Sequence, residues 1–116
     1  MQKYIYGIDF GTSNSALAIL DIVTRQAVKL FTVPSLLFFQ EPKERGEFTR
    51  VAVGQDAIDQ YVQNRMNGRF MKSIKKVLPN KSFIDTRIGN RMYKAEDLVA
   101  FILRHLKSMA DEFLGE

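Results

Sequence analysis

The stretch Tyr4–Ser15 leaves this chain few options. It runs Tyr-Ile-Tyr-Gly-Ile-Asp-Phe and then Gly-Thr-Ser-Asn-Ser, after which Leu17, Ile19 and Leu20 resume the apolar character. A short apolar run that ends at an acid and a glycine reads as strand, tight loop, strand. Gly11 has no side chain, so another group can approach the backbone there and a positive φ is accessible. Thr12, Ser13 and Asn14 add small polar groups and a row of N–H donors. Successive N–H groups in a turn make a concavity that suits anionic oxygens. Asp9, at the end of the first strand, would face the same mouth. A carboxylate beside bound phosphate calls for a cation and its water shell between them, and Mg²⁺ usually keeps several waters. The triplet Asp9-Phe10-Gly11 also occurs in protein kinases. Those need a glycine-rich loop and a lysine-bearing strand upstream, and only eight residues precede Asp9.

The nine residues Gly7–Ser15 resemble the first phosphate loop of the actin-like ATPases. Within that superfamily they resemble the 70-kilodalton heat-shock chaperones, whose first strand carries Gly-Ile-Asp-aliphatic-Gly-Thr-Thr-Asn-Ser. The resemblance implies ATP or ADP with Mg²⁺ as ligands. Gly11, Thr12, Ser13 and Asn14 would hold the phosphates, and Asp9 would reach the metal through water. It also implies an α/β fold of the ribonuclease H-like type.

Bulk properties set outer bounds. The chain has 116 residues, enough for one modest domain with a real core. Apolar content of 46% and charged content of 26% are ordinary for a globular protein. There is no cysteine, which excludes a disulfide framework and a thiolate metal site. The N-terminus lacks the basic head and apolar run of a signal peptide, and no stretch has the length of a membrane span, so a cytoplasmic protein is expected. The net charge of +4 is uneven. Residues 65–94 carry Arg65, Arg69, Lys72, Lys75, Lys76, Lys81, Arg87, Arg91 and Lys94 against Asp85 alone. Such an excess could attract nucleic acid. No base-stacking aromatics are interleaved with it, so a solvated face is the preferred reading.

Along the chain, strands are expected at Tyr4–Phe10, Ala16–Ile22 and Gln26–Phe31, close enough in sequence to form an antiparallel meander. The first two are apolar on both faces, which predicts a sheet covered on both sides. Pro34-Ser35 opens another strand at Leu36–Phe39. Residues Glu41–Arg50 read as an exposed loop, and Val51–Val53 as a short strand. Asp56 is expected to cap a helix over Ala57–Met66 that Asn67-Gly68 stops. A second helix is expected over Arg69–Leu78, with Pro79 ending it. Gly89-Asn90 between Ile84–Ile88 and Arg91–Tyr93 predicts a tight hairpin. Ala95–Leu114 is the longest helix, its stripe formed by Leu98, Ile102, Leu106, Met109 and Phe113. Glu96 and Asp97 stand where the helix dipole favours acids, and Gly115 is the C-cap signal. His105, the single histidine, has no partner cluster and reads as a surface residue.

The resemblance extends over most of the chain. A Pro-Ser before an apolar strand, a Val-Gly before a helix, a Phe-x-x-Lys-Arg-Leu element and a helix ending in Leu-Gly-Glu all have counterparts in the family. Val33 stands where the family usually has Thr, and the connection before it is short, which points to a divergent member. On this alignment Lys75 takes the place of the catalytic lysine, with Lys76 the alternative one residue on. A fixed ammonium there would offset charge on the transferring phosphoryl group. The resemblance covers only the start of a family member. It implies a fragment of one nucleotide-binding domain: residues 1–33 the first core strands, 34–94 a small upper subdomain, and 95–116 a helix leading back to the core. Such a fragment would expose apolar faces and strand edges and self-associate, and would not turn over ATP alone. In the full-length protein, peptide clients and co-chaperones are the implied partners. The alternatives are a piece of an actin-like sugar kinase or filament protein, or a stand-alone basic module for nucleic acid.

Overall fold

The computed structural model describes residues 3–40, 50–72, 86–88 and 91–115. Strands β1 (Tyr4–Phe10), β2 (Asn14–Asp21) and β3 (Ala27–Pro34) form an antiparallel sheet in the order β1-β2-β3, the expected meander. Strand β2 starts two residues before its expected Ala16, and β3 runs on to Pro34. The cause is the ladder itself: Asn14 pairs with Pro34 and Ser15 with Val33, so both strands lengthen together toward the loop. At the other end, the Asp21 carboxylate accepts the N–H groups of Val23 and Thr24 at 2.8 and 3.2 Å, which closes the β2–β3 turn. Arg25 completes that turn with a φ of 62°.

A second sheet has the order β5-β4-β6, with β4 (Leu37–Phe39) between β5 (Val51–Val53) and β6 (Arg69–Met71). Strand β6 corrects the sequence reading, which put a helix over Arg69–Leu78. Phe70 pairs with Phe38 across the sheet, and Gly68, at φ 123°, sets the entry to the strand. A Cβ on Gly68 would lie 2.5 Å from the Phe39 carbonyl oxygen, so only glycine allows β6 to lie against β4. The remainder of that expected helix lies outside the described residues. Helix α1 (Gln55–Gln63) is capped by Gly54 rather than Asp56, which sits in its first turn. It also ends before the expected Met66, because Arg65 and Met66 both take left-handed backbone. Strands β7 (Thr86–Ile88) and β8 (Arg91–Tyr93) pair antiparallel with Ile88 opposite Arg91, and the expected Gly89-Asn90 turn lies outside the described residues.

Helix α2 (Ala95–Leu114) forms as expected. Its start is secured by the Lys94 N–H donating to Asp97 Oδ2 at 2.9 Å, and its end by Gly115 in the left-handed region. The buried row is Leu98, Ile102, Leu106 and Ala110, with Ala95 at its head. Met109 is only part-buried, and Phe113, expected on the stripe, is half exposed at the sheet edge. There its ring meets Phe31 edge-on at 5.9 Å.

One core joins these parts. Leu17 and Ile19 of β2, Val33 of β3, Leu37 and Phe39 of β4, Val53, Tyr93 and the α2 row form a single cluster. Phe39, Tyr93 and Phe101 make an aromatic triangle within it, with centroids 5.2–5.8 Å apart. The other face of the second sheet puts Phe38 and Ala52 against Ala57, with Tyr61 and Phe70 packed beside them. Strand β4 is therefore buried on both faces. The first sheet is not, contrary to the sequence expectation. Its inward face meets α2, while its outward face leaves Ile5, Val28 and Leu30 exposed among the described residues.

A hydrogen bond from Tyr6 ties strand β1 to α2. The Tyr6 hydroxyl donates to Asp111 Oδ1 at 2.7 Å, and Lys107 Nζ holds Asp111 Oδ2 at 2.6 Å. The Lys107 ammonium first, and then the Tyr6 hydroxyl, hold the Asp111 carboxyl below its ordinary value of 3.8. A carboxyl whose pKa is lowered by folding contributes stability that is complete above its unfolded value and lost as pH falls through the folded one. Acid titration of the urea midpoint should therefore show a loss below about pH 3.8 that is smaller in Asp111→Asn. Parallel curves for the two proteins would refute the contact's role.

Candidate functional site

Each strand of the first sheet presents alternate residues to opposite faces. On β2, Ser15, Leu17 and Ile19 point inward and are buried, while Asn14, Ala16 and Ala18 point to the open face. Asp9 pairs with Ala16, and Asn14 with Pro34, so Asp9, Asn14 and Thr32 share the upper end of that open face. These are its polar residues; the exposed apolar ones, Ile5, Val28 and Leu30, lie lower down. The acid at the end of β1 and the asparagine at the start of β2 thus face one mouth, as the sequence suggested.

The loop between the strands is only Gly11, Thr12 and Ser13. Thr12 and Ser13 are exposed and Gly11 is half-buried. Two buried hydroxyls grip it from behind. The Gly11 N–H donates to Ser15 Oγ at 3.3 Å, and Ser35 Oγ donates to the Gly11 carbonyl at 2.8 Å. The two hydroxyl oxygens are 2.7 Å apart, and the Ser35 N–H donates to the Ser13 carbonyl at 2.9 Å. None of the hydrogen bonds within the described residues takes up the N–H of Thr12 or Ser13.

Gly11 is required here for a different reason from the one its type suggests. Its φ is not positive. A Cβ at Gly11 would stand 2.2 Å from the Asn14 carbonyl oxygen, so the loop closes too tightly for any side chain. Gly54 plays a comparable part below the site: its N–H donates to the Leu36 carbonyl at 2.9 Å, and a Cβ on it would press on Val33 at 3.3 Å.

Lys75 and Lys76 lie outside the described residues, as does most of the basic stretch between them and Arg91. Among the described residues no group of three or more His, Asp or Glu gathers to hold a metal directly, and no helix is long and apolar enough to cross a membrane. The sequence places Ser35 at the opening of a strand and Ser15 at the end of the polar loop, and gives neither a part in the site. A Ser directly after Pro34 was visible as a motif, but nothing in the sequence joins it to Ser15.

The chain is 32% identical over 119 aligned residues to the chaperone protein DnaK of Thermosipho melanesiensis, and over 118 to that of Mycoplasmopsis agalactiae. It is also 32% identical to that of Thermosipho africanus. Each alignment covers 98% of this chain and 18% of the relative, so the chain spans about a fifth of the length of the curated proteins it matches. No family model and no solved structure matches it.

Replacing Gly11 by Ala should force the loop open. The expected result is a stability loss of about 1–3 kcal/mol, with backbone amide shifts changed from Phe10 to Ser15 and unchanged along α2. An Ala variant with native shifts at the loop would contradict the close approach.

Proposed function

We propose, since the chain belongs to the 70-kilodalton heat-shock chaperone family, that it supplies the first phosphate loop of a nucleotide-binding ATPase domain. The observation that carries this reading is the Gly11–Ser13 loop. Its carbonyls at Gly11 and Ser13 are engaged internally, and the N–H groups of Thr12 and Ser13 are left to a ligand. Successive backbone N–H groups in a tight turn favour an anion. Gly11, Thr12, Ser13 and Asn14 would hold the phosphates of ATP or ADP. Asp9, exposed and on the same face as Asn14, would orient the water shell of Mg²⁺. The metal, when bound, neutralises charge on the phosphate oxygens.

Lys75 is proposed as the cation that approaches the transferring phosphoryl group, with Lys76 the alternative. Residues 1–33 would form the first strands of a ribonuclease H-like core, residues 34–94 a small upper subdomain, and residues 95–116 the helix returning to the core. Peptide clients and co-chaperones belong to the proposed role of the full-length protein, in the cytoplasm.

Two measurements test this. In the full-length protein, Asp9→Asn should weaken Mg²⁺-dependent nucleotide binding by calorimetry. Lys75→Ala should leave binding intact and slow single-turnover hydrolysis by about a hundredfold or more. Binding indifferent to Mg²⁺ and to Asp9 would overturn the reading.

The open face of the first sheet adds a property of the chain by itself. Ile5, Val28 and Leu30 are exposed at 44, 44 and 61%, and β1 and β3 are both sheet edges among the described strands. We infer that the 116-residue chain self-associates. Sedimentation should give a mass that rises with concentration and falls for Leu30→Lys; a monomer at all concentrations would refute it.

A further inference from the structure

We propose that Ser15 and Ser35 are positioning residues whose hydroxyls hold the phosphate loop in its ligand-accepting shape. The proposal rests on the nucleotide reading above and deepens it. Both side chains are buried, Ser15 at 1% exposure and Ser35 at 0%. A hydroxyl carries one hydrogen. That of Ser35 is committed to the Gly11 carbonyl, so in the 2.7 Å contact between the two hydroxyls Ser15 is the donor. Ser15 Oγ then accepts the Gly11 N–H. The result is a closed circuit: Gly11 N–H to Ser15, Ser15 to Ser35, and Ser35 back to the Gly11 carbonyl. Each bond polarises the next, as chains of hydrogen bonds do in a low-dielectric interior.

The circuit decides which way the loop peptides face. The described peptides are trans, so an N–H points opposite to the carbonyl it is bonded to. With the Gly11 carbonyl drawn to Ser35 Oγ and the Ser13 carbonyl drawn to the Ser35 N–H, the N–H groups of Thr12 and Asn14 lie on the side away from Ser35. A rotated peptide would present a carbonyl oxygen to an anion instead. Ser35 therefore fixes two carbonyls that would otherwise repel phosphate, and Ser15 fixes Ser35. Preorganised donors of this kind raise affinity by removing the cost of ordering the loop on binding.

The test compares ADP with Mg²⁺ and adenosine as ligands of the full-length protein, in Ser35→Ala and Ser15→Ala. Removing a hydroxyl strands buried partners, so the dissociation constant for ADP should rise about tenfold while that for adenosine stays unchanged. Should Ser35→Ala fail to fold, Ser35→Cys supplies the same readout with a near-isosteric but weak donor. Unchanged ADP affinity overturns the proposal. An equal loss for ADP and adenosine also overturns it, since a merely structural role moves both. A wild-type protein that binds neither ADP nor adenosine overturns the nucleotide reading itself, and the proposal with it.

Discussion

The inward row of β2 is the constraint on which the structure depends. Ile19 and Leu17 are fully buried among the residues of the α2 row, and the next inward residue, Ser15, is buried at the same depth. The row thus passes from apolar packing to a hydroxyl without leaving the interior. A buried hydroxyl must find partners, and Ser15 finds them in Gly11 and Ser35. Packing that fixes β2 against α2 therefore also fixes the loop at its end. Each fully buried aliphatic side chain contributes about 1.5–3 kcal/mol, which holds β2 against α2 and with it the Ser15 end of the loop.

Helix α2 is the common wall. Its buried row touches the first sheet, β4 and β5 alike, so two sheets that share no strand pairing share one core. The second sheet is closed on its other face by α1, through Phe38 and Ala57. The first sheet has no such cover among the described residues, and its polar residues lie at the loop end of the open face. The inner face is packed at Leu17, Ile19 and Val33 and leaves Ile8 of β1 49% exposed, while Asp9, Asn14 and Thr32 gather at the loop end of the outer face.

Much of this was legible in the sequence for local reasons. The bounds of β1 follow from Gly11, which cannot accept a side chain, and those of α2 from Asp97 at one end and Gly115 at the other. What was illegible is non-local. Arg69-Phe70-Met71 is too short to carry a strand period, and its partner β4 lies far back in the chain, so a weak helical pattern prevailed. The α2 stripe departs from its expected line at Ala110 because the sheet it covers ends near Phe31, which leaves Phe113 at an edge. Ser15 and Ser35 are twenty residues apart. The sequence places Ser15 at the end of a polar loop and Ser35 at the opening of a strand, and only the tertiary fold makes them a buried pair.

The central claim is that the Gly11–Ser13 loop is a rigid anion cradle set by the core beneath it. A crystal structure of the full-length protein with Mg²⁺ and ADP tests it most directly. The account predicts phosphate oxygens within hydrogen-bonding distance of the Thr12 N–H, Asp9 facing the metal's water shell, and the Ser15–Ser35 circuit unchanged. Phosphates bound elsewhere, or a loop whose peptides have rotated to meet them, would contradict it.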